Sequence, residues 1–173
     1  MMEDKINILI QKLTDRDEKE SYKYAEQLAY IGTDEVIEKV IQLLRGSDLE
    51  NAYLAAKVLG KMENGQRGLD PLMEVILDKN NMAKNGSLVE ALEAFDLRQK
   101  FVEIFRIYLF GNFKASTHAK YYLDYTEFDI TPRVIKKAEK HWNHYQNNVK
   151  QDEEFEIKKA EALTILGELK EMF

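Results

Sequence analysis

Apolar side chains recur along this chain at intervals of three and four, in runs separated by polar breaks, which is the spacing of one buried stripe on an α-helix. Ile6, Leu9, Ile10 and Leu13 form the first stripe, with Asp4, Lys5 and Lys12 outside it. Val36, Ile37, Val40, Ile41 and Leu44 form another, opened by Thr33 as an N-cap with Asp34 and Glu35 in the first turn, and stopped by Gly46. Asp70 before Pro71 reads as a cap followed by proline at the first helical position, introducing Leu72, Met73, Val75 and Ile76. Leu97, Phe101, Ile104, Phe105 and Tyr108 continue the pattern up to Gly111. Thr131 and Pro132 then open a stripe of Val134, Ile135, Ala138 and Trp142. Residues 79–87, KNNMAKNGS, are the most loop-like segment, with Ser87 as an N-cap, and a last helix is expected from about Asp152 to Met172.

One stretch recurs. AEQLAYIG at 25–32 returns as AKVLGKME at 56–63, VEALEAFD at 89–96, AKYYLDYT at 119–126 and AEALTILG at 160–167. The starts are 31, 33, 30 and 41 residues apart. A small residue beside larger apolar ones on one helical face lets a neighbouring helix approach closely. Each of the first four copies is followed by a second amphipathic run, so a helix pair repeats every 30 to 40 residues. Such pairs bury their faces only by stacking, as in an α-solenoid.

Ala25, Leu28, Ile31 and Gly32, then Ala56, Leu59, Gly60 and Met62, then Ala160, Leu163, Leu166 and Gly167 resemble HEAT repeats, including the lyase-type HEAT-like repeats, from about residue 17 to 171. HEAT repeats often carry an Asp at the turn and a basic residue some five positions on. Asp34 with Lys39 resembles that pairing, whereas Asp70 is followed at that distance by Val75 and Ile76. The resemblance implies an all-α, right-handed α-solenoid of about four to five helix pairs in a single domain, 1–173. The opening helix is expected to cap one end and the last helix the other.

Composition narrows the classes. Two prolines and eight glycines are few for a strand-rich fold. With no cysteine there is neither a disulfide framework nor a thiolate site, and MMEDK lacks the apolar core of a signal peptide, so a cytoplasmic setting is expected. No apolar run approaches the roughly 20 residues that cross a bilayer. The formal net charge of −6 disfavours a general nucleic-acid binder. Polar outer residues on both terminal helices favour a monomer.

Candidate chemistry is sparse. His141 and His144 lie three apart, with His118 elsewhere, but no HExxH pattern accompanies them, and the pair reads as solvated or packed rather than as a metal site. Glu90, Glu93 and Asp96, or Glu153, Glu154 and Glu156, read as helix faces and first-turn carboxylates. No GxSxG, P-loop or GxGxxG occurs, so no catalytic, cofactor or metal residue is assigned.

Residues 133–146, RVIKKAEKHWNHYQ, depart from the acidic pattern: Arg133, Lys136, Lys137 and Lys140 stand against one acid, Glu139. With His144 they form a candidate face for an acidic peptide, a phosphate or nucleic acid, although the lysines also read as a solvated surface. From Tyr108 to Phe128 aromatics are dense; most should fill core, while Phe113, Tyr121 and Tyr125 are candidate interface anchors if exposed.

The expected function is a non-enzymatic adaptor or scaffold binding an unidentified protein or peptide, with nucleic acid and membrane disfavoured as partners and no cofactor. An acidic inhibitor of the immunity type, acting on a basic partner, is one alternative. A HEAT-like enzyme, a bilin lyase or an alkylbase DNA glycosylase, is another, implied by the resemblance alone.

Overall fold

The computed structural model describes residues 1–173, and every regular element in it is helical. In chain order the helices are α1 (Met2–Leu13), α2 (Ser21–Ile31), α3 (Asp34–Leu44), α4 (Leu49–Lys61), α5 (Leu69–Leu77), α6 (Gly86–Ala91), α7 (Phe101–Phe110), α8 (Phe113–Tyr125), α9 (Pro132–Asn148) and α10 (Glu153–Glu171). Single 3₁₀ turns occupy Gly65–Gly68, Lys79–Asn81 and Leu92–Ala94. None of the helices is long and apolar enough to cross a membrane.

Local chemistry starts three of these helices where the sequence indicates. The Thr33 hydroxyl accepts from the Val36 amide at 3.3 Å, the Thr131 hydroxyl from Val134 at 3.2 Å, and the Asp152 carboxylate from Phe155 at 3.0 Å. Pro132 sits in the first turn of α9 behind its threonine cap. Two expected caps are displaced. α5 begins one residue before Asp70, with Gly68 at the cap position, because the preceding 3₁₀ turn runs straight into the helix. α6 begins at Gly86 behind Asn85, which places Ser87 inside the first turn. Asn85 is buried, and its side-chain amide donates to the Ile76 carbonyl at 2.7 Å, tying the loop back to α5.

The chain forms two compact units, Met1–Asp96 and Leu97–Phe173. In the first, α1 packs on α2, α3 on α4 and α5 on α6, while α2, α4 and α6 line up in one layer and α1, α3 and α5 in the other. The repeated stretch is therefore the second helix of each pair here, not the first as its spacing suggests. The opening helix α1 is accordingly the first member of the first pair, packed on α2 with its Ile6, Leu9 and Leu13 buried, rather than an added cap. Sequence period fixes the repeat length but not its phase, because an isolated stripe does not say on which side its partner lies.

Polar rungs between successive turns keep the register. At one end of the pairs Arg16 reaches Asp48 at 2.8 Å, and Arg45 reaches Glu74 at 3.3 Å. At the other the Asn64 amide donates to the Gly32 carbonyl at 3.4 Å, Arg67 pairs with Asp34 at 2.7 Å, and Gln66 exchanges two bonds with the Asp96 backbone. Asp34 thus pairs with Arg67 of the following turn, and Lys39, the basic residue of the same motif, lies 3.6 Å from Glu3 of α1. Exposed pairs of this kind contribute little energy each, so packing of the apolar faces holds the helices while the rungs set the turn-to-turn step.

In the second unit α7 packs on both α8 and α9, and α9 on α10. Four copies of the repeated stretch bury equivalent positions: Ala25 and Leu28, Ala56 and Leu59, Val89 and Leu92, Ala119 and Tyr122. The fifth does not. Ala160 and Leu163 are exposed, the latter by 49%, and α10 instead buries Phe155, Lys158, Ala162 and Leu166. The AEALTILG resemblance is thus out of register with the packed face of its helix.

Candidate functional site

α9 is two-sided. Ile135, Ala138, Trp142 and Tyr145 are buried, and Trp142 and Tyr145 stack on Phe155 of α10 with ring centroids 6.1 and 5.9 Å apart. Arg133, Lys136, Lys137, Lys140 and His144 are all exposed. At 100° per residue these five fall within an arc of about 100° opposite the buried stripe. Glu139, the single acid in α9, lies on the flank and holds Lys170 of α10 at 3.3 Å. No carboxylate of the helix therefore faces the cations.

The candidate aromatics lie elsewhere. Phe113, Tyr121 and Tyr125 are 87, 59 and 74% exposed on the face of α8 opposite Ala115, Ala119 and Tyr122, and the Tyr121 and Tyr125 rings lie 4.7 Å apart. The aromatic stripe thus lies on α8 and the cationic stripe on α9, two helices that each pack on α7. Of the remaining aromatics, Tyr108 and Tyr122 are buried, while Phe110 and Phe128 are half-buried against Tyr145 and Phe101.

Beside the cationic stripe a cleft of about 410 Å³ opens between α7 and α9. From α7 come Val102, Glu103 and Arg106, from α9 Val134, Lys137 and His141, and Asp129 of the connecting segment stands at its edge. Asp129 is positioned by its backbone amide, which donates to the Arg98 carbonyl at 2.8 Å. Burial lowers the His141 pKa from its ordinary 6.5, and the charges of Arg106, His144 and Lys140 push it the same way. The sequence pattern names Lys137 and His141 but not Arg106, Glu103 or Asp129. The signal for Arg106 is a guanidinium inside the run FVEIFRIYLF, whose one other charged residue is Glu103, and it is half-buried in the structure.

The histidines do not gather. His141 lines the cleft, His144 is exposed beside Phe110 with its Nδ1 3.3 Å from the Asn148 amide nitrogen, and His118 is on α8; no three His, Cys, Asp or Glu side chains converge as metal ligands.

A second polar cluster, invisible to the periodicity, lies under α10. Lys158 is 6% exposed, donates to the Leu109 carbonyl at 2.9 Å and to the Ser116 hydroxyl at 3.4 Å, and pairs with Glu154 at 3.0 Å. Ser116 in turn donates toward the Tyr108 and Gly111 carbonyls. A cation thus meets the carbonyl end of α7, where the helix dipole is negative. The Tyr108 hydroxyl donates to Glu161, and burial first, then that bond, hold the phenol well above its usual value. Every donor of Lys158 is used, so this cluster locks α7, α8 and α10 together and offers no free group for chemistry.

A family model for HEAT repeats matches residues 6–93. No curated protein and no solved structure matches the chain.

Proposed function

The chain belongs to the HEAT-repeat family, and on that premise we propose that it is a non-enzymatic interaction module that docks an acidic segment of a partner protein on the exposed face of α9. One observation carries the reading: Arg133, Lys136, Lys137, Lys140 and His144 share a single face opposite the buried stripe, with no carboxylate of the helix turned toward them. Cations paired within the fold would already be spent, whereas these remain available for charge-assisted bonds to a partner. Phe113, Tyr121 and Tyr125 offer a separate exposed face suited to aromatic anchoring.

The test compares affinity capture by the native chain with capture by a variant in which Arg133, Lys136, Lys137 and Lys140 are changed to Glu, followed by reconstitution with the purified protein recovered. The partner is expected to be lost by the variant while circular dichroism shows unchanged helix content. Recovery by both forms would remove α9 from the interaction.

A second reading, an inhibitor of a basic partner, draws on charge. Residues 1–96 carry 19 acids against 12 bases, whereas residues 97–173 carry 12 against 13. Binding by the first unit alone to a basic protein, insensitive to the α9 substitutions, would favour it.

A further inference from the structure

We infer that the cleft between α7 and α9 is an anion pocket that takes one carboxylate or phosphate group from a partner peptide lying along α9, with Arg106, Lys137 and His141 as its donors. This rests on the docking role proposed for α9 and adds to it a site of defined chemistry.

Three features support the assignment. Donors of three kinds line one cleft from two helices: a planar guanidinium, an ammonium and an imidazole, a set suited to a compact oxyanion. Arg106 is half-buried and lines the cleft one turn after Glu103 on the same helix. The charges that lower the His141 pKa, those of Arg106, His144 and Lys140, are positive, so an anion placed among them would favour the protonated, donating imidazolium.

The pocket is also limited. Glu103 and Asp129 line it together with Arg106 and Lys137, so with His141 neutral the formal charges of its lining cancel. A single anionic group is accommodated, while a chain of phosphates tracking through the cleft would meet both carboxylates. That balance favours a peptide carrying one well-placed anion over a nucleic-acid backbone, whose binding needs a continuous cationic track. The apolar wall, Phe101, Val102 and Val134, suits the aliphatic stem of a peptide side chain better than a sugar-phosphate strand.

The experiment uses the full chain and a short peptide with flanking acidic residues and one central position that is Ser, Glu or phosphoserine. Inorganic phosphate and a single-stranded oligonucleotide complete the set of probes. Affinity is read by fluorescence anisotropy, and the His141 ring resonances by NMR. The Glu and phosphoserine peptides are expected to shift His141 and to bind more tightly than the Ser peptide. Arg106→Gln and His141→Gln should each remove roughly tenfold of that advantage, read as the ratio of anionic-peptide to Ser-peptide affinity within each variant. Arg106→Lys should restore part of it, since charge is kept and the bidentate fork lost. Tighter binding of phosphoserine than of Glu identifies the source of the anion as a phosphorylated partner, and the reverse as an acidic one.

The inference fails if Arg106→Gln binds all three peptides as the native chain does while the four α9 substitutions to Glu abolish binding; the docking face then stands without a pocket. Equal binding of the three peptides by the native chain overturns it in the same way. If no peptide binds, the pocket and the docking role fall together, and if the oligonucleotide binds more tightly than any peptide, the cleft belongs to a nucleic-acid surface.

Discussion

His141 is a base whose protonation the fold opposes from several directions. Burial on the flank of α9 contributes most, and Arg106 of α7 with His144 and Lys140 of its own helix add to it; Glu103 of α7 and Asp129 of the connecting segment line the same cleft without reversing the effect. The unfolded chain takes up this proton more readily than the folded one. The stability linked to His141 is thus fully present above the ordinary value of 6.5 and is lost as pH falls through the lowered folded value. The urea midpoint of the native chain should drop more between neutral pH and about pH 5 than that of His141→Gln. Parallel losses in both proteins would mean that carboxylates dominate the acid response. Residue-scale features were unevenly legible in the sequence. The cations of α9 could be read from spacing alone, because exposed side chains follow the helical period. Arg106 and Lys158 could not, since each is a polar residue on an apolar face and only the fold shows what it meets.

At the scale of elements, one turn carries a constraint that no stripe announces. A Cβ built on Gly65 falls 1.7 Å from the Leu59 carbonyl oxygen, so the turn between α4 and α5 closes only if that position has no side chain. Gly167, on the exposed side of α10, has nothing within 4 Å of the same construction. Gly65→Ala should therefore destabilise residues 1–96 by about 1–3 kcal/mol, the range for forcing a methyl into a packed site. Gly167→Ala should stabilise α10 by about 0.5–1 kcal/mol through reduced backbone entropy in the unfolded chain. Urea unfolding combined with amide exchange would assign each change to its unit, and a harmless Gly65→Ala would show that the turn relaxes freely. Helix content, most caps and the repeat length were legible because they depend on neighbours in sequence. The pairing phase was not, because whether α2 prefers α1 or α3 depends on loops whose lengths, 14–20 against 32–33, carry no stripe of their own. The fifth copy misled for a related reason: Ala162 and Leu166 satisfy the packed face of α10 as well as Ala160 and Leu163 would have, and identity of letters does not record which pair is buried.

For the whole molecule, charge is distributed so that range decides its sign. The chain carries −6, and residues 1–96 hold that excess and more, whereas the exposed face of α9 is cationic. On the proposed docking role, an acidic peptide approaching from far away would be repelled by the net charge, and one in contact with α9 would be held by the local charge. Screening separates the two, because the Debye length is about 30 Å at 0.01 M salt and about 8 Å at physiological ionic strength. Raising salt across that interval should speed association, by removing the long-range repulsion, while it also speeds dissociation, by weakening the contacts with Arg133, Lys136, Lys137 and Lys140. A uniformly cationic binder would instead lose association rate as salt rises. Stopped-flow measurements with the phosphoserine peptide distinguish the cases directly. Association that slows with salt would mean that the cationic face governs encounter as well as retention, and the acidic first unit would then play no part in partner selection. Association that quickens would make the acidic unit a filter, admitting at low ionic strength only partners whose contacts with α9 outlast the repulsion.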